Sequence, residues 1–96
     1  VNKDQKIIRE IINSIMCNYY VDIKSIAKKY NLQASELYNL IKFKKDNLDD
    51  FIEDEILEFK QDIISVKESG RLFTRNIAMR FDPLIDQKIG SYSNTV

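Results

Sequence analysis

The stretch RLFTRNIAMRF, residues 71–81, brings two arginines and an asparagine together within one segment of helical pattern. Arg71 and Arg75 are four residues apart, which is one helical turn, and Asn76 follows the second arginine. Guanidinium groups offer planar pairs of donors that suit carboxylates and phosphates. On the residues alone, solvated arginines or ion pairs with the acidic segment of the chain are the simpler explanation, and an anionic ligand is the alternative.

The other reactive residues form no catalytic or metal-binding constellation. Cys17 is the one cysteine and the chain has no histidine, so a base for a thiol nucleophile and the usual zinc spacings are absent. We interpret Cys17 as a small buried apolar group at a helix end. The carboxylates of residues 46–58 lack the central glycine of a calcium loop. The sequence therefore predicts no catalytic residue, no metal site and no cofactor within this chain.

Charge is distributed unevenly along a chain of 96 residues with no net charge. Residues 1–45 carry +5, residues 46–62 carry −7 and residues 63–96 carry +2. The sequence shows no apolar run of the roughly 20 residues that a membrane span needs and no signal-peptide pattern. We therefore expect a cytoplasmic protein without a membrane span. Because the first residue is valine rather than methionine, we also expect a piece of a longer protein.

Apolar spacing predicts three helices in the first half of the chain. Helix 4–17 has isoleucines at three- and four-residue intervals, with Asp4 as the expected N-cap. Asp22 is the expected cap of a second helix, and ASELYNLIKF (34–43) forms a third. The third helix is expected to turn Leu37, Leu40 and Ile41 inward and Glu36, Tyr38, Asn39 and Lys42 outward.

The second half predicts a short acidic helix at about 47–54, a β-hairpin from ILEF (56–59) and IISV (63–66), and a helix 70–82 that ends before Pro83. The expected buried stripe of the last helix is Leu72, Phe73, Ile77 and Phe81. Residues 90–96 are expected to form a flexible tail. Because every element has one apolar face to bury, the chain is predicted to be a single domain, 1–96, mainly α with a small β-hairpin and winged-helix-like.

A helix-turn-helix pattern within residues 22–43 also permits a nucleic-acid interpretation. In that interpretation the second helix enters a major groove. Its outward face offers Lys42 as the one cation, and an acidic segment follows, whereas nucleic-acid binders concentrate Lys and Arg on one face. We therefore predict no nucleic-acid partner and keep a DNA-binding or protein-interaction module as the alternative function.

Three motifs in order resemble a known enzyme family. The chain has MCN at 16–18, GRLFTRNIAMRFD at 70–82 and a closing YSNT followed by Val96. They are similar to the C-terminal region of the oxygen-independent coproporphyrinogen III oxidases, also called coproporphyrinogen dehydrogenases, of the radical S-adenosylmethionine superfamily. The family's typical forms are LMCN, GRLLxRNIxMxFD and YSRT with an aliphatic residue. Related haem chaperones usually lack the RNIxMxFD signature, so the signature favours the oxidases.

The chain departs from that family in several places. Asn94 stands where arginine is usual, and KQD (60–62) replaces a glycine-rich hairpin turn. The CxxxCxxC motif and the glycine-rich segment that binds S-adenosylmethionine, both of the catalytic barrel, are absent from these residues. The resemblance therefore implies an accessory C-terminal domain. A CxxxCxxC motif upstream of Val1 is the observation that would settle the family.

The resemblance implies a parent enzyme that oxidatively decarboxylates two propionates of coproporphyrinogen III to give protoporphyrinogen IX. The parent would use a [4Fe-4S] cluster and S-adenosylmethionine, and the partners of this domain would be the N-terminal catalytic barrel and the porphyrinogen substrate. The residues that the resemblance makes candidates for substrate binding or domain docking are Arg75, Asn76, Arg71 and Asn18. An apolar surface facing the barrel is also expected, with Tyr19, Tyr20, Met79 and Phe81 as contributors.

Overall fold

The computed structural model describes residues 2–82, which form five α-helices, two 3-10 helices and three strands. In chain order these are α1 (Lys3–Asn18), β1 (Tyr20–Asp22), α2 (Ile23–Lys29), α3 (Ala34–Leu40), the 3-10 helix η1 (Lys45–Leu48), α4 (Asp49–Glu53), β2 (Leu57–Lys60), β3 (Ile63–Val66), the 3-10 helix η2 (Glu68–Phe73) and α5 (Thr74–Met79). This order confirms the predicted mainly helical, winged-helix-like class. The expected stop at Pro83 and the expected tail 90–96 lie outside the described residues.

Helix α1 is capped differently from the prediction. Asn2, not Asp4, stands at the N-cap, and Asp4 lies in the first turn, where its carboxylate accepts the Gln5 N–H at 2.9 Å. At the other end Tyr19 adopts a left-handed conformation with φ 57°, and its N–H donates to the Ile15 carbonyl at 3.0 Å. Glycine usually fills that position, and a side chain there costs about 1 kcal/mol.

The strands form one antiparallel sheet in the order β1-β3-β2. In the central strand Ile64 pairs with Val21 of β1 on one side and with Phe59 of β2 on the other. The sequence predicts the two strands of the hairpin, β2 and β3, but not β1. The three residues of β1 are too few to show a β alternation. Strand β1 places the end of α1 directly beside the hairpin.

The hairpin turns at Gln61 and Asp62, whose φ angles are 53° and 61°. Two successive left-handed residues are typical of a type I′ turn, which matches the twist of the strands and prefers Asn-Gly. The Asp62 carbonyl accepts the Ile23 N–H at 2.9 Å, which ties the turn to the first residue of α2. Asp22 caps the same helix as predicted, accepting the Ser25 N–H at 3.2 Å.

One apolar cluster joins α1, the helix-turn-helix pair, the sheet and α5. Its largest fully buried side chains are Ile7, Ile11, Ile15, Val21, Ile23, Leu37, Leu48, Leu57, Ile64 and Ile77. The isoleucine spacing of α1 therefore identifies the core face correctly. Near the end of the described residues, the Phe81 ring stacks on Phe43 with 4.3 Å between centroids. Phe81 is thus buried, as the apolar stripe predicts, and does not contribute to an exposed surface.

Helix α3 is shorter than predicted and turned differently. It ends at Leu40, and Lys42 is left-handed with φ 58°. Tyr38, expected outside, is buried, and its hydroxyl donates to Asp62 Oδ1 at 2.8 Å. Leu40, expected inside, is 38% exposed, whereas Leu37 is buried as predicted. The hairpin turn supplies the acceptor that lets the tyrosine enter the core.

The last predicted helix is two elements. Residues 68–73 form η2 and residues 74–79 form α5. Ile77 and Phe81 are buried as predicted, but Leu72 is 93% exposed and Phe73 is 42% exposed, so the four-residue stripe is wrong for its first half. A 3-10 helix has about 3.0 residues per turn against 3.6 for an α-helix, so its side chains fall out of phase with the α stripe.

Candidate functional site

A glycine holds η2 against the start of β2. Gly70 is buried, and a Cβ at this position would lie 2.2 Å from the Ile56 carbonyl oxygen. The same carbonyl accepts the Lys67 N–H at 2.9 Å, and the Ser69 hydroxyl donates to the Glu55 carbonyl at 3.0 Å. These contacts fix the backbone of η2 and therefore the direction of the side chains that follow Gly70.

Arg71 lies over the ring of Tyr19, with 4.6 Å between the guanidinium carbon and the ring centroid. This contact brings the RLFTRN segment to the end of α1, where Asn18 is exposed as the last helical residue. The Tyr19 carbonyl also accepts the Val66 N–H at 2.8 Å, which joins this helix end to β3. A cation–π contact at an exposed site contributes about 0.5–1 kcal/mol. Arg71 therefore has a partner inside the domain.

Arg75 and Asn76 lie on the first turn of α5, and both side chains are exposed. The next two residues, Ile77 and Ala78, are buried, so packing fixes the orientation of the helix. The sequence predicts Arg71 and Arg75 on one helix, but Arg71 belongs to η2 and Arg75 to α5. The four candidate residues are thus distributed between α1, η2 and α5, and the Arg71 contact joins η2 to the residue after Asn18.

Arg80 pairs with the acidic segment, although it is not among the residues that the sequence singles out. Its guanidinium donates to both carboxylate oxygens of Asp50, at 2.9 and 2.8 Å, and lies 4.2 Å from the centroid of the Phe51 ring. The hydrogen bonds from Arg80 lower the pKa of Asp50 to about 2. The family motif allows any residue at position 80, so the motif does not identify Arg80. The acidic residues at the start of α4 are the sequence signal that could have identified this ion pair.

A second polar cluster, formed by Asp62, Tyr38 and Lys45, links the hairpin turn to α3 and η1. The Asp62 carboxylate accepts the Tyr38 hydroxyl and lies 3.1 Å from Lys45 Nζ. Burial acts to raise the pKa of Asp62, but hydrogen bonds from Tyr38 and Lys45 outweigh it and hold this pKa below its ordinary value. Burial, and then the hydrogen bond to Asp62, raise the pKa of Tyr38. The charged groups neutralise each other, so the cluster is a structural one.

An open cleft of about 340 Å³ lies beside this cluster. Its lining residues are Lys45, Asp46, Asp49, Ile52, Phe59, Gln61 and Asp62. Two of its charged groups, Lys45 and Asp62, are already paired with each other. Such a cleft offers neither a deep apolar pocket nor a set of convergent polar groups of the kind that binds small molecules.

Cys17 is exposed near the end of α1, so its interpretation as a buried apolar group is wrong. Among residues 2–82 no three potential metal ligands of the His, Cys, Asp or Glu type lie together. Within the same range, no helix is both long enough and apolar enough to cross a bilayer. The expectations of no catalytic residue, no metal and no cofactor in this chain remain predictions.

The fold defines a winged-helix-like domain, mainly helical with a three-stranded antiparallel sheet. The profile of the HemN C-terminal domain matches residues 1–73, and the chain belongs to this family. The oxygen-independent coproporphyrinogen III oxidase of Escherichia coli K12 is 34% identical over 93 residues, which are 92% of this chain and 19% of that protein. Its counterpart in Thermostichus vulcanus is 36% identical over 87 residues, which are 85% of this chain and 24% of that protein.

A solved structure has the same fold. It is that of E. coli coproporphyrinogen III oxidase (HemN), described as a radical SAM enzyme, and it matches with a TM-score of 0.74 and 28% identity. The match covers 85% of this chain and 18% of the E. coli chain. The chain therefore spans about a fifth of the length of the relatives it matches, and the resemblance seen in the motifs is confirmed at the level of the family.

Proposed function

We propose that this chain is the C-terminal accessory domain of an oxygen-independent coproporphyrinogen III oxidase in haem biosynthesis, an oxidoreductase of the cytoplasm. The observation that carries the proposal is the combination of the family match over residues 1–73 with the fold match over 85% of the chain. In this role the domain packs against a catalytic barrel and contributes to enclosing coproporphyrinogen III, whose two propionates are oxidatively decarboxylated.

The cofactors of that reaction do not fit this chain. A [4Fe-4S] cluster is held by several cysteine thiolates, and the sequence contains one cysteine and no histidine. The chain also lacks the glycine-rich segment expected to bind S-adenosylmethionine. We assign both cofactors to the catalytic barrel, no step of the reaction to this chain, and no activity to the chain on its own.

The polar face of α5 suits a substrate that carries carboxylates. Coproporphyrinogen III carries four carboxylates, and arginine binds carboxylates with paired donors. Arg75 and Asn76 are exposed on a helix whose opposite face is buried, so their direction is set before any ligand arrives. We assign contact with a substrate propionate to these two residues and place Asn18 at the edge of the same surface. Arg71, held on Tyr19, positions this surface from within the domain.

A nucleic-acid role is less well supported. Tyr38 is buried, and the remaining outward positions of α3, Glu36 and Asn39, carry no positive charge. Phosphate contacts supply most of the affinity of nucleic-acid binders. The prediction of no nucleic-acid partner therefore stands as part of this proposal.

A domain exchange tests the proposed function. The C-terminal domain of the E. coli oxidase is replaced by this chain, and anaerobic conversion of coproporphyrinogen III to protoporphyrinogen IX is measured with S-adenosylmethionine and a reductant. The controls are the intact E. coli enzyme and the same enzyme lacking its C-terminal domain. We expect the graft to recover activity that the truncated enzyme lacks. A soluble graft no more active than the truncated enzyme would refute the proposal.

A further inference from the structure

Large apolar side chains gather where η2 meets the end of α1. Leu72 is 93% exposed, Phe73 is 42% exposed and Tyr20 is 46% exposed. Arg71 and Tyr19 are in contact, and Leu72 and Tyr20 are the residues that follow them along the chain. One exposed leucine needs no explanation, but three exposed large apolar residues on the two segments that the Arg71–Tyr19 contact joins are unusual. We call Tyr20, Leu72 and Phe73 the Leu72 surface.

The Leu72 surface is presented by a rigid backbone. Gly70, two residues before Leu72, is pressed against the Ile56 carbonyl, and α5 begins at Thr74, two residues after it. The Thr74 hydroxyl donates to the Arg71 carbonyl at 3.4 Å. Because the backbone is held in this way, binding at Leu72 costs little backbone entropy, which is how a pre-organised anchor gains affinity.

We propose, on the basis of the proposed function, that the Leu72 surface docks this chain on the catalytic domain of its parent enzyme, with Leu72 inserted in an apolar pocket of that domain. The E. coli and T. vulcanus relatives carry about four-fifths of their length outside the part that this chain matches, so a large covalently linked neighbour accompanies the domain in them. Interfaces between domains of one chain bury about 600–1,500 Å² and leave such a patch on each isolated partner.

Charge defines the rim of the expected pocket. Arg71 is exposed next to Leu72, and its guanidinium is held on the Tyr19 ring. A guanidinium fixed at the edge of an apolar contact favours a carboxylate opposite it. The partner surface therefore has an apolar pocket for Leu72 with an Asp or Glu at its rim.

Leu72→Asp tests this in the domain exchange, with Leu40→Asp as the matched control because Leu40 is an exposed leucine on α3. Each variant is first melted in the isolated 96-residue chain, and its Tm shift there is subtracted from its shift in the graft. We expect the wild-type graft to unfold in one transition. We expect Leu72→Asp to split off a separate domain transition at least about 5 °C lower and to expose the junction to protease. Leu40→Asp should leave the graft with a single unfolding transition. Its Tm should be unchanged once the shift seen in the isolated chain is subtracted.

The outcomes separate docking from function. A wild-type graft whose C-terminal domain melts independently overturns the docking proposal, and so does a graft in which Leu72→Asp behaves like Leu40→Asp. An isolated chain that dimerises in sedimentation, and becomes monomeric with Leu72→Asp, assigns the surface to a second copy instead. A change in KM for coproporphyrinogen III with unchanged unfolding assigns it to substrate. A cooperative, Leu72-dependent graft without turnover supports docking and refutes the proposed function.

Discussion

The Arg80 guanidinium donates two parallel hydrogen bonds to the Asp50 carboxylate, from Nη1 to Oδ1 at 2.9 Å and from Nη2 to Oδ2 at 2.8 Å. The guanidinium also covers the Phe51 ring. Through this pair the end of α5 is tied to the start of α4. The sequence suggests such ion pairs for Arg71 and Arg75, but the ion pair with Asp50 is made by Arg80, and Arg71 contacts an aromatic ring.

The pair predicts a specific pH dependence of stability for Asp50→Asn. The folded-state pKa of Asp50 is lowered from 3.8 to about 2, so its contribution is fully present above about pH 4 and is lost as the pH falls through about 2. We expect Asp50→Asn to lower Tm at pH 6 and to have less effect at pH 2. The measurement is thermal unfolding by circular dichroism at both values. Asp49→Asn, at the exposed neighbour, is the control, and an equal pH dependence in both variants would contradict the prediction.

Gly70→Ala should destabilise the domain because the new methyl group meets backbone. Its Cβ would lie 2.2 Å from the Ile56 oxygen and 2.9 Å from the carbonyl carbon, which no rotamer change relieves. Overpacking of this kind costs about 1–3 kcal/mol, occasionally more. Urea unfolding should show a lower midpoint with an unchanged m-value. Ser69→Ala, which removes only the exposed hydrogen bond to the Glu55 carbonyl, should cost about 1 kcal/mol or less. A Gly70→Ala midpoint equal to that of Ser69→Ala would contradict the close approach.

Gln61→Gly should stabilise the domain. Gln61 has φ 53°, which costs a non-glycine residue about 1 kcal/mol, and its side chain is exposed. Glycine removes that cost while raising the entropy of the unfolded chain, so the expected net gain is about 0.5 kcal/mol. Differential scanning calorimetry should show a higher Tm. Lys60→Gly, in β2, is the matched control and should lower Tm. If both variants lowered Tm, the left-handed turn would not be a source of strain.

Tyr38→Phe tests the polar cluster beneath the hairpin. The hydroxyl is lost while the ring keeps its place beside Phe43 and Phe59. Because Asp62 retains its contact with Lys45, the expected loss is about 1 kcal/mol in the free energy of unfolding. Lys45→Met, combined with Tyr38→Phe in a double-mutant cycle, should show a coupling energy larger than zero. Additive effects would mean that the two donors act on Asp62 independently.

Helix α1 and the hairpin could be read from the sequence because local periodicity decides them. The isoleucines of α1 recur at three- and four-residue intervals from Ile7 to Ile15, and the two hairpin strands are short runs of β-branched and apolar residues. Tyr38 and Leu40 exchange their expected positions because the partner of Tyr38, Asp62, lies 24 residues further along the chain. No local pattern contains that information.

In the candidate site, too, local sequence patterns identify some features, and contacts between distant parts of the chain determine the others. The motif pattern selects Arg71, Arg75 and Asn76, and the structure fixes them on η2 and α5. The pattern does not reveal that Leu72 is exposed, because the break between a 3-10 helix and an α-helix at residue 74 changes the phase of the side chains. The sequence predicts Tyr19 as part of an apolar surface that faces the barrel, but its role as the partner of Arg71 depends on a fold in which η2 returns to α1.

The final prediction separates Arg71 from Arg75 in the domain exchange. Arg71→Ala removes a contact within the domain, so the isolated chain should lose about 0.5–1 kcal/mol of stability. Arg75→Ala removes an exposed side chain assigned to substrate, so kcat/KM of the graft should fall by about 10- to 100-fold. Asn76→Ala should act in the same direction with a smaller effect, because a neutral amide makes a weaker hydrogen bond than a guanidinium.

Steady-state kinetics and thermal unfolding of the same preparations give both quantities. Arg75→Lys is the informative companion, since lysine keeps the charge but not the paired donors, and it should recover only part of the lost kcat/KM. If Arg75→Ala lowered Tm and cluster content together, docking rather than substrate contact would be its role. If it changed neither rate nor stability, the polar face of α5 would have no part in the enzyme, and only the buried side, with Ile77 and Ala78, would matter.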